Sequence, residues 1–256
     1  YQLFYVDLWG VVHNGVSLHN EAIKALKEIK KKNKDYILLT NAPRPNIAVK
    51  SFLKKLGMDQ EMRDHVFTSG EAALNYLKKN LLDKTFFHIG PPKDFDLFDG
   101  FKKKKIKEIN KSEYILCTGL FDKYQTDLNY YKNLFEKNIQ KKMICTNPDL
   151  IVDKGEVREL CAGSVAIVFE KMGGEVVYFG KPYKEIYKSI LKETNKSLII
   201  GDNLRTDIKG ANLISQDSLL ILNGIHKNET GNLNNINDTI KKYNVTINYF
   251  QKQLIW

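Results

Sequence analysis

The chain has few arginines although it is strongly basic. Only four of its 40 basic residues are arginine (Arg44, Arg63, Arg158 and Arg205), and the net charge is +10. Nucleic-acid sites favour arginine, because its guanidinium makes bidentate contacts that lysine cannot make. The charge therefore indicates a lysine-rich solvated surface, and we expect no nucleic-acid partner.

Cysteines and long apolar runs are scarce as well. Cys117, Cys145 and Cys161 are widely spaced and form no CxxC pair, which argues against structural zinc. An odd cysteine count without a visible signal peptide fits a reducing, cytoplasmic location. No stretch approaches the ~18 apolar residues of a membrane span, so we expect no membrane partner. The sequence begins at Tyr1 without methionine, and we expect a short native N-terminus to precede it.

Four short apolar runs are present, and each ends in polar side chains. Such runs are typical of buried parallel strands, and ligands of an open parallel sheet sit outside the carboxyl ends of the strands. Together the ends supply a carboxylate nucleophile, a hydroxyl donor, a cation and metal-binding acids, which suits phosphoryl chemistry. The runs are Leu3–Val6 before Asp7, Tyr36–Leu39 before Thr40 and Asn41, Val176–Phe179 before Lys181, and Leu198–Ile200 before Asp202 and Asp207.

The order and spacing of these motifs resemble the haloacid dehalogenase (HAD) superfamily. The most specific match is Gly201-Asp-Asn-Leu-Arg-Thr-Asp207. Gly180-Lys-Pro182 and Cys145-Thr-Asn-Pro-Asp149 are similar to subclass IIA, whose phosphatases act on nucleotides, sugar phosphates, pyridoxal phosphate or nitrophenyl phosphate. The resemblance covers nearly the whole chain.

The resemblance implies an α/β fold with a Rossmann-like parallel-sheet core in three α/β/α layers and an inserted α/β cap. We assign residues 1–80 and 176–256 to the core and residues 81–175 to the cap, which sets substrate specificity. The strand from Val176 is expected to resume the core sheet. Helices are predicted at Leu18–Lys32, Asn46–Leu56 and Glu185–Thr194, and Asn228–Asn237 is predicted to be a loop.

The resemblance also assigns roles at the strand ends. Asp7 is the expected nucleophile, forming an aspartyl-phosphate and also binding Mg²⁺. Asp202 and the backbone carbonyl of Trp9 are expected to complete the metal ligands, with Asp207 just behind them. Lys181 is expected to neutralise charge on Asp7 and the phosphate.

Several further side chains are expected to bind the substrate. Thr40 is predicted to donate its hydroxyl to a phosphate oxygen, with the backbone N–H of Asn41 close by. Arg44 suits either a phosphate contact or a surface role. In the cap, Asn147, Asp149 and the loop carrying Ser164 are candidates for substrate choice or for packing against the core.

Trp9 departs from the family pattern. Most HAD phosphatases have an aspartate there that protonates the leaving group and later activates water, whereas indole has no proton to exchange at neutral pH. His13 is the nearest alternative acid, although it also suits a simple pocket-lining role. A leaving group of low pKa needs no acid, and altered chemistry is a third reading.

The function predicted from these residues is Mg²⁺-dependent hydrolysis of a small phosphate ester, such as a sugar phosphate or nucleotide monophosphate. A HAD-fold enzyme with dehalogenase-type chemistry and a non-catalytic binder of a phosphometabolite remain alternatives. The expected partner is a small phosphorylated metabolite, and the oligomeric state is open, with a homodimer among the expected arrangements.

Overall fold

The computed structural model describes residues 1–154, 157–188, 190, 197–230 and 236–256. The strands are β1 (Leu3–Val6), β2 (Asp35–Thr40), β3 (Val66–Thr68), β4 (Phe86–Ile89), β5 (Tyr114–Cys117), β6 (Lys142–Cys145), β7 (Ile151–Lys154), β8 (Val157–Leu160), β9 (Glu175–Tyr178), β10 (Leu198–Gly201), β11 (Asp217–Ile221) and β12 (Tyr249–Gln251). The α-helices are α1 (Asn20–Lys31), α2 (Asn46–Lys55), α3 (Gln60–Arg63), α4 (Ser69–Asn80), α5 (Leu128–Phe135), α6 (Ala162–Lys171), α7 (Lys184–Lys188), α8 (Lys209–Leu213), α9 (Lys227–Thr230) and α10 (Ile236–Tyr243).

The first sheet has six parallel strands in the order β12-β11-β10-β1-β2-β3. Its central strand β1 is buried along its whole length, which explains the uninterrupted apolar run. Helix α1 covers one face with Ala22, Leu26 and Ile29, which recur at helical spacing. The α/β core predicted from the sequence is therefore confirmed, and its parallel strands deliver their carboxyl ends to one edge.

A second parallel sheet has the order β4-β5-β6-β9. The expectation that the strand from Val176 resumes the core sheet is wrong, because β9 pairs with β6. Phe86 and Leu116 of this sheet share an apolar cluster with Tyr5 and Leu39 of the first sheet, so the two sheets are packed around common contacts. The other face is covered by α5 and α6.

An antiparallel hairpin, β7–β8, was not predicted from the sequence. Its strands mix apolar residues with charged ones, and Val157 is exposed, so the run lacks the apolar continuity of a buried strand. Three residues of the hairpin, Ile151, Val152 and Asp153, line the pocket that is described below.

The C-terminal half holds two further differences from the sequence predictions. The predicted helix Glu185–Thr194 is observed only in part, as α7 (Lys184–Lys188), and residues 189 and 191–194 lie outside the described residues. The predicted loop Asn228–Asn237 is wrong where it is described, because α9 includes residues 228–230 and α10 begins at Ile236. Within the described ranges, none of the helices has the length and apolar character needed to cross a membrane.

Candidate active site

A pocket of about 280 Å³ opens at the carboxyl ends of the central strands of the first sheet. The side chains that form the pocket wall lie at or just after the ends of paired strands, so the sheets fix their positions. It is lined by Asp7 after β1, Thr40 and Asn41 at the end of β2, Lys181 after β9, and Asp202 and Asp207 after β10, together with Trp9.

Lys181 lies at the centre of this wall. Its Nζ donates to Oδ1 of Asp7 at 2.5 Å, to Oδ1 of Asp207 at 2.6 Å and to the carbonyl of Leu39 at 2.9 Å. Burial lowers the pKa of Lys181, but Asp207 and Asp7 outweigh it, so the net pKa is raised. The ammonium group therefore stays charged and orients both carboxylates.

Asp7, Asp202 and Asp207 are buried and offer oxygen atoms that all lie within 4.8 Å of one another. Burial raises the pKa of Asp7 to about 7; Lys181 opposes this shift and Asp207 adds to it. The pKa of Asp202 is raised well above its usual range by burial and by Asp7 and Asp207. A bound cation would relieve this repulsion, and an all-oxygen donor set fits a hard divalent ion.

Glycines allow the backbone to approach Asp202 closely. Gly10 has a φ of +85°, and a Cβ there would overlap the carboxylate of Asp202. A Cβ at Gly224 would overlap the same carboxylate, and the Ile225 N–H donates to its Oδ2 at 2.8 Å. The turn after β1 therefore requires glycine both for its conformation and for the space.

Asn41 connects the two sheets through its side chain. Its Oδ1 accepts from the Lys181 N–H at 2.7 Å, and its Nδ2 donates to the Lys181 carbonyl at 2.9 Å and to Oδ1 of Asp149 at 3.1 Å. The amide is thus committed to protein groups. Thr40 uses its Oγ1 to accept from the Ala42 N–H at 3.3 Å, which leaves the hydroxyl hydrogen available to a ligand.

Trp9 lines the pocket, and its indole N–H donates to the backbone carbonyl of Asp153 at 2.6 Å. Its ring meets His13 edge-on, with 5.1 Å between centroids. Trp9 therefore links the loop after β1 to hairpin β7–β8. Whether its carbonyl binds a metal stays a prediction.

His13 is not brought to the pocket. The ring is buried between Trp9 and Phe52, and its Nδ1 accepts from the Gly15 N–H at 3.0 Å. Burial, with a smaller contribution from His19, lowers the pKa of His13 to about 4, so the imidazole is neutral near pH 7. His19, which the sequence reasoning missed, does line the pocket. The sequence offered no signal for this, because His19 fell inside the predicted helix Leu18–Lys32.

Three predicted substrate-binding residues lie away from the pocket. Arg44 is paired with Asp96, which holds the guanidinium by two nitrogens. Ser164 donates its hydroxyl to the Leu150 carbonyl at 2.6 Å. Asn147 accepts from the backbone N–H of Asp149 at 2.9 Å, which shapes the loop after β6. Of the cap candidates named above, Asp149 is the one that lines the pocket.

The fold and the pocket define a class of α/β protein with a buried aspartate–lysine cluster at the carboxyl edge of a parallel sheet. Comparison with known proteins makes the class specific. A haloacid dehalogenase-like hydrolase model matches residues 4–102, and a HAD-hydrolase-like model matches residues 178–242. A solved hydrolase of the haloacid dehalogenase-like family from Brucella suis 1330 is 32% identical, with a TM-score of 0.81, over 90% of this chain and 88% of that one.

Curated relatives extend the match. Phosphoglycolate phosphatase 2 of Arabidopsis thaliana is 26% identical, over 87% of this chain and 83% of its own length. Ribonucleotide monophosphatase NagD of Escherichia coli (strain K12) is 28% identical, over 86% of each chain. The chain belongs to the haloacid dehalogenase-like hydrolase family, subclass IIA.

Proposed function

We propose that this protein is a Mg²⁺-dependent phosphatase of a small phosphorylated metabolite. The observation that carries the proposal is the bridge from Lys181 to Asp7 and Asp207, beside Asp202 and beneath an open pocket. Relatives named as phosphoglycolate phosphatase and ribonucleotide monophosphatase support a phosphate ester as substrate.

In the proposed reaction, Asp7 attacks phosphorus with a carboxylate oxygen and forms an aspartyl-phosphate, which water then hydrolyses. Lys181 holds the carboxylate in place and offsets negative charge on the phosphoryl oxygens. Thr40 donates its hydroxyl to one of those oxygens. Asp7, Asp202 and Asp207 would hold Mg²⁺, which supplies further charge neutralisation when bound.

We propose that residues 81–178, the predicted cap extended to include all of β9, act as a cap that selects the substrate. The support is the position of Asp149 and of hairpin β7–β8, which form one wall of the pocket while the first sheet forms the other. A sugar phosphate or nucleotide monophosphate is the proposed substrate class. A cytoplasmic location and a homodimer remain predictions.

The test is release of inorganic phosphate from nucleotide monophosphates, sugar phosphates, phosphoglycolate and nitrophenyl phosphate, with and without Mg²⁺. We expect turnover that needs Mg²⁺ and disappears in Asp7→Asn. Asp122→Asn makes the same chemical change at an exposed position and serves as the matched control.

Absence of turnover on every ester would contradict the proposal. Haloacid substrates would then test the dehalogenase-type alternative, whose members need no Mg²⁺. Binding of the same esters without turnover would support the non-catalytic alternative.

A further inference from the structure

The site described above lacks an obvious proton donor for the leaving group. The Trp9 N–H is committed to the Asp153 carbonyl, and His13 is packed away from the pocket. His19 lines the pocket, but burial lowers its pKa, so near pH 7 its neutral ring has no readily released proton. Asp153 also lines it, yet its carboxylate is held by Arg158 at 2.7 and 3.0 Å.

Asp149 is placed differently. It lies in the loop after β6, where its backbone N–H is fixed by Asn147 and its Oδ1 by Asn41. Its Oδ2 accepts no hydrogen bond from the part of the chain that the structure describes. Asn41 also accepts from the Lys181 N–H and donates to the Lys181 carbonyl. The Asn41 side chain therefore connects Asp149 to Lys181, the residue that positions Asp7.

We propose that Asp149 replaces the missing family acid as the general acid and base of this site. The inference rests on the proposed phosphatase function. As Asp7 bonds to phosphorus and the phosphorus–oxygen ester bond breaks, the leaving oxygen takes the proton of the Asp149 carboxyl. Water then attacks the phosphorus of the aspartyl-phosphate and gives a proton to the Asp149 carboxylate. The Asp7–phosphorus bond breaks, which releases inorganic phosphate and restores both side chains.

The electrostatics of the loop agree with this role. Burial raises the pKa of Asp149 to about 6; Lys181 and the Asn41 hydrogen bond oppose the shift, and Asp207 adds to it. Burial raises the pKa of the Cys161 thiol, and the charge of Asp149 adds to that shift. A carboxyl group that titrates near neutral pH can serve as acid in one step and base in the next.

The experiment compares two esters whose leaving groups differ in their need for a proton. Nitrophenyl phosphate releases a stable phenolate, whereas an alkyl ester such as a sugar phosphate releases a poor alkoxide. For Asp149→Asn, which keeps the acceptor for Asn41, we expect kcat on the alkyl ester to fall by about 10²–10⁴-fold. Formation of the aspartyl-phosphate from nitrophenyl phosphate, followed as the nitrophenolate burst, should change by less than about 10-fold.

Three other results are informative. Equal loss on both esters in the burst phase would show a purely structural role and overturn the inference. No turnover of either ester by the wild-type protein would instead contradict the proposed function. Should Asp149→Asn fail to fold, the wild-type burst rate across esters decides the matter. A burst rate that falls steeply as the leaving-group pKa rises means that no acid protonates the leaving group. A burst rate that changes little supports Asp149 as the acid.

Discussion

Trp9 donates its indole N–H to the backbone carbonyl of Asp153 at 2.6 Å, across 144 residues of sequence. The ring also covers Gly15, where a Cβ would lie 2.6 Å from it. Trp9 thus serves as a contact between the loop after β1 and hairpin β7–β8. The contact fixes one wall of the pocket against the other.

Trp9→Phe tests this contact, because it removes the N–H and keeps most of the aromatic surface. We expect the free energy of unfolding to fall by about 1 kcal/mol, the net contribution of one hydrogen bond. Urea unfolding measures it. Because hairpin β7–β8 is no longer held, KM should rise more than kcat falls. An unchanged unfolding free energy would mean that the contact contributes nothing to stability.

Lys181→Met leaves the carboxylates of Asp7 and Asp207 without their buried cation. Breaking a buried ion pair from one side costs about 3–5 kcal/mol, and we expect the free energy of unfolding to fall by this amount. Turnover should be lost as well. Lys132→Met, on the exposed side of α5, is the matched control and should leave stability and activity unchanged. Equal unfolding curves for the two variants would contradict the central role of Lys181.

His13 makes stability depend on pH. Its pKa falls from 6.5 to about 4 on folding because the ring is buried. Below pH 6.5 the unfolded chain binds a proton that the folded chain refuses, so stability is lost as the pH falls toward 4. Between pH 7 and pH 5 this loss amounts to about 2 kcal/mol.

His13→Asn keeps an acceptor for the Gly15 N–H but cannot titrate. Urea unfolding at pH 7 and pH 5 should show a smaller pH-dependent loss in this variant than in the wild type. Buried His88, whose pKa is lowered to about 3, acts in the same direction and remains in both proteins, so it cancels in the comparison. Parallel pH profiles would refute the assignment.

The sequence predicted where a side chain lies when that side chain directly follows one buried strand. Asp7, Thr40 and Asp202 follow apolar runs that had to be buried, so their meeting at one sheet edge was predictable. Which sheet β9 joins could not be predicted, because the same apolar pattern fits a strand of either sheet. The direction of a side chain could not be predicted from the sequence either. Arg44 pairs with Asp96 and Ser164 donates to the Leu150 carbonyl, and only the folded chain brings these partners together.

Gly10→Ala separates backbone strain from crowding at the carboxylate cluster. Gly10 and Gly57 have almost the same φ, +85° and +89°, but a Cβ at Gly10 would overlap Asp202, whereas nothing lies within 4 Å of one at Gly57. Gly57→Ala should therefore cost only the strain of a left-handed residue, about 1–2 kcal/mol, with activity intact.

Gly10→Ala should lose more stability than Gly57→Ala, and the excess measures the displacement of Asp202. The displacement should also weaken the carboxylate cluster. If Mg²⁺ binds there as proposed, it should raise the melting temperature of the wild-type protein, and this rise should be smaller in Gly10→Ala and unchanged in Gly57→Ala. Thermal unfolding of the wild-type protein and both variants, each with and without Mg²⁺, tests this in six curves. If Mg²⁺ stabilises both variants equally, the turn after β1 does not need glycine to position Asp202.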